Sequence, residues 1–217
     1  MGRRRSVLKF VNHSATVLGI AVSHGWLPGA RYTNLRDVRR FRKLGFLDID
    51  WKRYDFARHL EVAAITRPLM TVARDVENKR DLKRILDQAY RLLEFSKYVV
   101  VVPKDRLLES KLCNSIPPEF VLGFSVPTRY GQTGLSPLAF RRPVHLLGGR
   151  PDVQRRLAEI MPVFSLDLNR FTLDAAFGDY FDGKTFRPHP QGGYVRCLTA
   201  SVKNIGALWT RYAAPHL

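Results

Sequence analysis

The chain has 217 residues, 45% of them apolar, with 36 Lys and Arg against 19 Asp and Glu for a net charge of +17. That length suits one domain with a real core and is enough for a minimal (β/α)8 barrel. The charge favours a polyanionic partner, nucleic acid ahead of an anionic membrane, while two cysteines, Cys113 and Cys197, argue against a disulfide framework and a Cys-rich zinc site.

Two thiols fit a reducing compartment such as the cytoplasm. No run of about 18 apolar residues is present, so no membrane span is expected. The start, Met-Gly-Arg-Arg-Arg, is basic, but no signal-peptide core follows it. Residues 2–5 read as a solvated basic arm that can touch phosphate.

In chain order, Thr16-Val-Leu-Gly-Ile-Ala-Val reads as a first buried strand, closed by the breakers of Ser23-His-Gly-Trp-Leu-Pro-Gly. Ala30-Arg-Tyr-Thr-Asn-Leu reads as the second, ending near Arg36 and Asp37. Phe46-Leu-Asp-Ile-Asp-Trp is left unassigned, and residues 54–65 have near-helical apolar spacing. Pro68-Leu-Met-Thr-Val-Ala is the third strand, running into Arg74 and Asp75. The clearest helix opens at Asp81, with Leu82, Ile85, Leu86, Ala89, Leu92 and Leu93 on one face.

Tyr98-Val-Val-Val-Val-Pro is the fourth strand. Its unbroken β-branched run is what a parallel strand covered on both faces needs. The fifth is Phe120-Val-Leu-Gly-Phe-Ser-Val-Pro, followed by a polar loop, Thr128-Arg-Tyr-Gly-Gln-Thr-Gly. Val144-His-Leu-Leu is the sixth, residues 151–159 a helix with Pro in its first turn, and Val163-Phe-Ser-Leu-Asp the seventh. Residues 177–193 read as turn-rich loop and residues 194–212 as a last helix. Seven strands alternating with helices predict one α/β domain over residues 1–217. It is a TIM-barrel-like (β/α)8 fold whose eighth strand is degenerate or unrecognised; an open doubly wound sheet is the alternative.

In a barrel the C-terminal strand ends face one pocket. The polar residues at those ends are Arg36 and Asp37, Arg74 and Asp75, Lys104 and Asp105, Gly123 and Ser125, His145 with Gly148 and Gly149, and Asp167 with Asn169 and Arg170. Several carboxylates there can act as nucleophile, proton carrier and ligand holder. Any one Asp at a strand-to-helix loop is more readily a helix cap than a catalytic group; of the set, at least two are expected to be functional. There is no Walker A lysine and no GxGxxG, which disfavours P-loop and dinucleotide enzymes. The histidines lack metal-ligand spacing, and no metal and no cofactor are expected.

The order of these motifs resembles the tRNA-guanine transglycosylase superfamily, in particular its short branch, from viruses (bacteriophages among them) and genomic islands, that places 7-deazaguanines in DNA. The motifs are Thr71-Val-Ala-Arg-Asp, Val121-Leu-Gly-Phe-Ser-Val-Pro, Val144-His-Leu-Leu-Gly-Gly-Arg-Pro-Asp and Ser165-Leu-Asp. The resemblance covers roughly residues 25–170 and implies a (β/α)8 barrel with pentosyltransferase chemistry. It implies Asp167 as nucleophile on the sugar and Asp37 as the second catalytic acid, although Tyr32-Thr-Asn-Leu-Arg-Asp lacks the family's Asp-Ser-Gly pattern. It implies Asp75 as holder of the base, with Gly123, Gly148 and Gly149 letting backbone donors reach the ring; Lys104, Asp105, Ser125, His145 and Asn169 join the expected substrate contacts from their places at the strand ends. The zinc subdomain of the tRNA-modifying members, three cysteines and a histidine, cannot be built here, which points to DNA. Arg39, Arg40, Arg42, Lys43, Arg129 and Arg170 are the expected phosphate contacts. The expected partners are DNA and a 7-deazaguanine base (preQ0 or a relative), with no membrane. A protein partner or a homodimer is the alternative for completing the site. Two other functions compete: a Mg²⁺-dependent nuclease using the same carboxylates, and a non-catalytic DNA-binding subunit.

Overall fold

Among the described residues, 6–128 and 132–216 of a computed structural model, eight parallel strands close into a barrel. They are β1 (Leu8–Val11), β2 (Leu27–Arg31), β3 (Phe46–Asp48), β4 (Met70–Val72), β5 (Tyr98–Val101), β6 (Val121–Ser125), β7 (Val144–Leu147) and β8 (Val163–Asp167). Each pairs with the next in the chain, and β8 returns to β1 in the register Leu8↔Ser165, Lys9↔Leu166, Phe10↔Asp167. The helices are α1 (Ala15–Ser23), α2 (Phe56–Thr66), α3 (Leu82–Leu93), α4 (Leu112–Ser115), α5 (Pro151–Leu157), α6 (Arg170–Ala176) and α7 (Tyr194–Trp209). The (β/α)8 expectation therefore holds.

Alternation sorts each strand into an inward and an outward set. Inside, Phe10 stacks on Phe46 at 5.4 Å, and the His145 ring lies 5.1 Å from Phe46. Gly123 faces the same interior: a Cβ there would stand 2.6 Å from Val102 and 2.8 Å from Val100, so the bare backbone is what lets those valines fill the barrel. Outside, Thr71 of β4 meets the buried His59 of α2 at 2.8 Å. On α3, Ile85, Ala89 and Leu92 are buried, as the spacing predicts.

Three readings need correction. Thr16-Val-Leu-Gly-Ile-Ala-Val belongs to α1, not to a strand. A short run apolar on every side does not distinguish a buried strand from a helix covered on two sides, and α1 is covered by both β2 and α7. The real first strand, Leu8-Lys-Phe-Val, is short and sits beside the basic start, yet Phe10 and Val11 are fully buried. The second strand begins earlier than expected, at Leu27, and carries Pro28 and Gly29. At Gly29 an added Cβ would stand 3.1 Å from the Val11 carbonyl oxygen, a tight fit that the bare backbone avoids. The unassigned Phe46-Leu-Asp is β3, a complete strand of three residues.

After β8 the turn-rich segment contains an antiparallel hairpin, β9 (Asp179–Phe181) with β10 (Phe186–Pro188). It packs on α7, where Ser201 accepts the Phe181 N–H and Asn204 donates to the Phe181 carbonyl. No helix among the described residues is long and apolar enough to cross a membrane.

Candidate active site

Strand β8 reads Val163-Phe-Ser-Leu-Asp, four buried residues and then Asp167 at the barrel mouth. Its Oδ1 accepts the Gly148 N–H at 3.2 Å and stands 3.3 Å from His145 Nε2. The Gly148-Gly149 turn makes that approach possible. Both residues have positive φ (62° and 86°), and a Cβ on Gly149 would lie 2.3 Å from Val126. From α5, the buried Gln154 amide donates to the Gly148 carbonyl at 2.7 Å and to the Asp167 carbonyl at 2.9 Å. One side chain thus ties the β7 loop to the end of β8.

Asp48 ends β3 and faces the same cavity. Burial and then the nearby Asp167 carboxylate push its carboxyl up to about 7, against the Ile49 N–H, Arg31 and Asn12, which favour the charged form. Across the cavity Lys104 Nζ lies 2.7 Å from Asp75 and 3.7 Å from Glu77. Burial pushes the Asp75 carboxyl up while Lys104 pulls it back. Burial works against the Lys104 ammonium, but its carboxylate neighbours carry it above the ordinary lysine value. The cavity these residues line measures about 540 Å³, and Trp51, 61% exposed, stands in its wall.

A second chamber of about 310 Å³ adjoins it and shares Arg31 and Asp48. Asn12, Asn169 and Asp37 line it, and the Asn12 N–H donates to Asn169 Oδ1 at 3.2 Å. Asp37 lies in a 3-10 turn, Arg36–Val38, paired with Arg36 at 3.2 Å. Asp37 and Asn169 therefore line the side chamber, not the main cavity that Asp167 and Asp75 line.

The other expected residues divide. Asp75, Lys104, Ser125, Gly148 and Asp167 line the main cavity. Asp105 does not: it caps the 3-10 helix Arg106–Lys111, where the Leu107 and Lys79 N–H groups hold its carboxyl below the usual range. Gly123 and His145 are buried in the barrel beneath the lining and cannot touch a ligand there. Gly149 shapes the turn behind Gly148. Arg170 is held by Asp174 at 2.6 and 2.8 Å on α6. Arg39, Arg42 and Lys43 are exposed on the β2–β3 connection, whereas Arg40 reaches back to the Ala15 carbonyl and lies over Phe41. Arg129 and residues 2–5 lie outside the described residues. Asp48, Gln154 and Trp51 are missing from the expected set. The signal for Asp48 was present, a short apolar run, Phe46-Leu, stopping at a carboxylate.

The family described as "Family of unknown function (DUF6610)" matches residues 21–210. Among curated proteins none matches. Among solved structures, the chain is similar to the X-ray crystal structure of the YdjI aldolase from Escherichia coli K12. The TM-score is 0.52 and the identity 13%, over 94% of this chain and 92% of that one. The likeness is one of fold.

Proposed function

We propose, for a chain that belongs to the DUF6610 family of unknown function, a DNA-modifying transglycosylase that exchanges guanine for a 7-deazaguanine base. The observation that carries this reading is the pairing of Asp167 with Asp48. One carboxylate is oriented by a backbone N–H at the end of β8. The other, in the same cavity, changes protonation near neutral pH. Two carboxyl groups in different environments can divide nucleophilic and proton-transfer work.

In this mechanism an Asp167 oxygen bonds to C1′ of the target nucleotide as the C1′–N9 bond breaks. The proton on Asp48 passes to the departing guanine. The incoming base then returns its N9 proton to the Asp48 carboxylate and attacks C1′, and Asp167 leaves. A carboxyl with a midpoint of about 7 is available in both forms for this cycle. Asp48 takes the proton-carrying role first expected of Asp37, because it is Asp48 whose carboxyl responds to Asp167.

Base selection fits the Asp75–Lys104 pair. A carboxylate accepts from the N1–H and amino group of a guanine-like edge, and an ammonium beside it donates to O6. Adenine offers the reverse pattern at positions 1 and 6. The cavity, about 540 Å³, is in the range of small-ligand sites. The target base must leave the helical stack to enter it, and the +17 charge supplies attraction for the phosphates.

The test is incubation of the purified protein with DNA and a labelled 7-deazaguanine, followed by nucleoside mass spectrometry. Label in the DNA, lost in Asp167→Asn, is expected. DNA that is bound but acquires no label would overturn the reading, and strand cleavage on addition of divalent ions would replace it with nuclease chemistry.

A further inference from the structure

His145 is fully buried in the middle of the barrel, packed against Phe46 and Phe10 and excluded from the cavity wall. Its Nδ1 lies 2.8 Å from Ser165 Oγ. Its Nε2, 3.3 Å from Asp167 Oδ1, has no aligned hydrogen-bond partner among the described residues. A buried nitrogen left in that condition is costly and calls for a reason.

Of the two neutral tautomers, the contacts favour one. Ser165 has two acceptors for its O–H, His145 Nδ1 at 2.8 Å and Met70 Sδ at 3.7 Å. An imidazole nitrogen is the stronger acceptor. If Ser165 donates to Nδ1, the ring proton sits on Nε2 and points at the carboxylate. The opposite tautomer would aim a bare lone pair at a negative oxygen inside a poorly screened barrel, which is repulsive. The Gly148 N–H and His145 Nε2 both fall on Oδ1, while Oδ2 takes no hydrogen bond from the described residues.

We propose that His145 is a positioning residue for Asp167. Its Nε2–H, fixed by Ser165 behind it, draws Oδ1 to the cavity floor and leaves Oδ2 as the oxygen presented to the sugar. The inference rests on the reading of Asp167 as the nucleophile. It assigns the histidine to orientation of the carboxylate from below rather than to substrate contact. The 3.3 Å separation is long for a hydrogen bond, as is common in sites without ligand, and under this proposal it shortens when a ligand presses on the carboxylate.

Two measurements test it. The first needs no activity: NMR of protein labelled with ¹⁵N-histidine, read as wild type, Ser165→Ala and Asp167→Asn. The expected result is a His145 ring protonated at Nε2 and bare at Nδ1. Its Nε2–H signal should move in Asp167→Asn, and the tautomer preference should weaken in Ser165→Ala. A ring protonated at Nδ1, or an Nε2–H signal indifferent to Asp167→Asn, overturns the proposal even if the enzyme exchanges no base. The second compares His145→Gln, which keeps an N–H donor at that reach, with His145→Phe, which keeps only bulk. In variants with wild-type circular dichroism, the Phe form should lose kcat on the order of 100-fold with KM unchanged. The Gln form should recover part of that loss. Equal kcat in both forms would make His145 a packing residue and overturn the proposal.

Discussion

Asp48 and Asp167 stand at the ends of β3 and β8 on the wall of one cavity, and the charge of Asp167 adds to burial in lifting the Asp48 carboxyl to about 7. The two groups are therefore coupled, and altering either should be read at the other.

Asp167→Asn removes the like charge and nearly preserves shape. The Asp48 midpoint should fall, because the charged form of Asp48 loses a repulsive neighbour. Carboxyl ¹³C NMR of aspartate-labelled protein reads it directly. The same variant should bind DNA, form no covalent adduct and exchange no base. An unmoved Asp48 midpoint would mean that the two carboxylates do not sense each other.

Asp48→Asn should stabilise the fold at alkaline pH. The folded carboxyl titrates at about 7 and the unfolded one near 3.8. The native state thus holds a proton that the unfolded chain has released, and stability is lost as pH rises through that window. Asparagine escapes the loss. Its gain should be on the order of 2 kcal/mol above pH 7, allowing for the water that reaches the side chain, and vanish below about pH 4. Urea titrations at both pH values measure the difference. Base exchange should fall by at least about 100-fold, the usual minimum for a lost proton carrier.

His59 predicts an acid limb of stability. Burial depresses its imidazole to about 4, against an ordinary 6.5. Thr71 donates to the Leu47 carbonyl, so its oxygen accepts from His59 Nε2–H, and Nδ1 accepts from the Tyr54 hydroxyl. That neutral arrangement is fully stabilising above pH 6.5 and is lost as pH falls toward 4. The contribution lost between pH 7 and 5 should be about 2 kcal/mol, and His59→Phe should show a shallower pH dependence by that amount.

Gln154→Met keeps the volume of the side chain and removes the two donations that join the Gly148 loop to Asp167. It should destabilise by about 1–3 kcal/mol through the two carbonyls left unpaired. Exchange should slow through kcat, with little change in KM, since the Asp75–Lys104 pair is untouched. Thermal melts and steady-state kinetics on the same sample separate the two effects.

DNA affinity should fall steeply with salt. Each phosphate neutralised contributes a slope of about −0.9 to log K against log salt for duplex. Removing an exposed cation such as Arg39 or Lys43 should flatten the slope by about 1 if that residue meets a phosphate. Fluorescence anisotropy across a salt series reads this out.

Legibility in the sequence followed the length and purity of the local signal. The unbroken β-branched run of Tyr98-Val-Val-Val and the long periodic face of α3 are correctly read, and so is the emergence of Asp167 from Val163-Phe-Ser-Leu. β1 and β3 have only four and three residues, too few for any period to show, and they are strands because their neighbours complete them. Missing β3 meant missing Asp48, the residue most affected by Asp167. Gln154 was unreadable for another reason: an amide on an amphipathic helix looks like surface until the two carbonyls it bridges are seen. Asp105 fell to the competing reading, a cap rather than a ligand.

The seam between β1 and β8 has a consequence for how the molecule is made. Phe10 registers with Asp167, and the Asn12 N–H reaches Asn169 across 157 positions of sequence. During synthesis β1 must wait with an open edge while the other strands assemble, and the barrel can shut only when β8 arrives. Such distant pairings are slow to form. Until closure, Asp48 has no Asp167 beside it, and two strand edges lie open to other chains. The mouth that holds Asp48 and Asp167 thus matures only with the closing strand. Damage at this seam should appear first as aggregation of newly made protein and only later as a defect in chemistry.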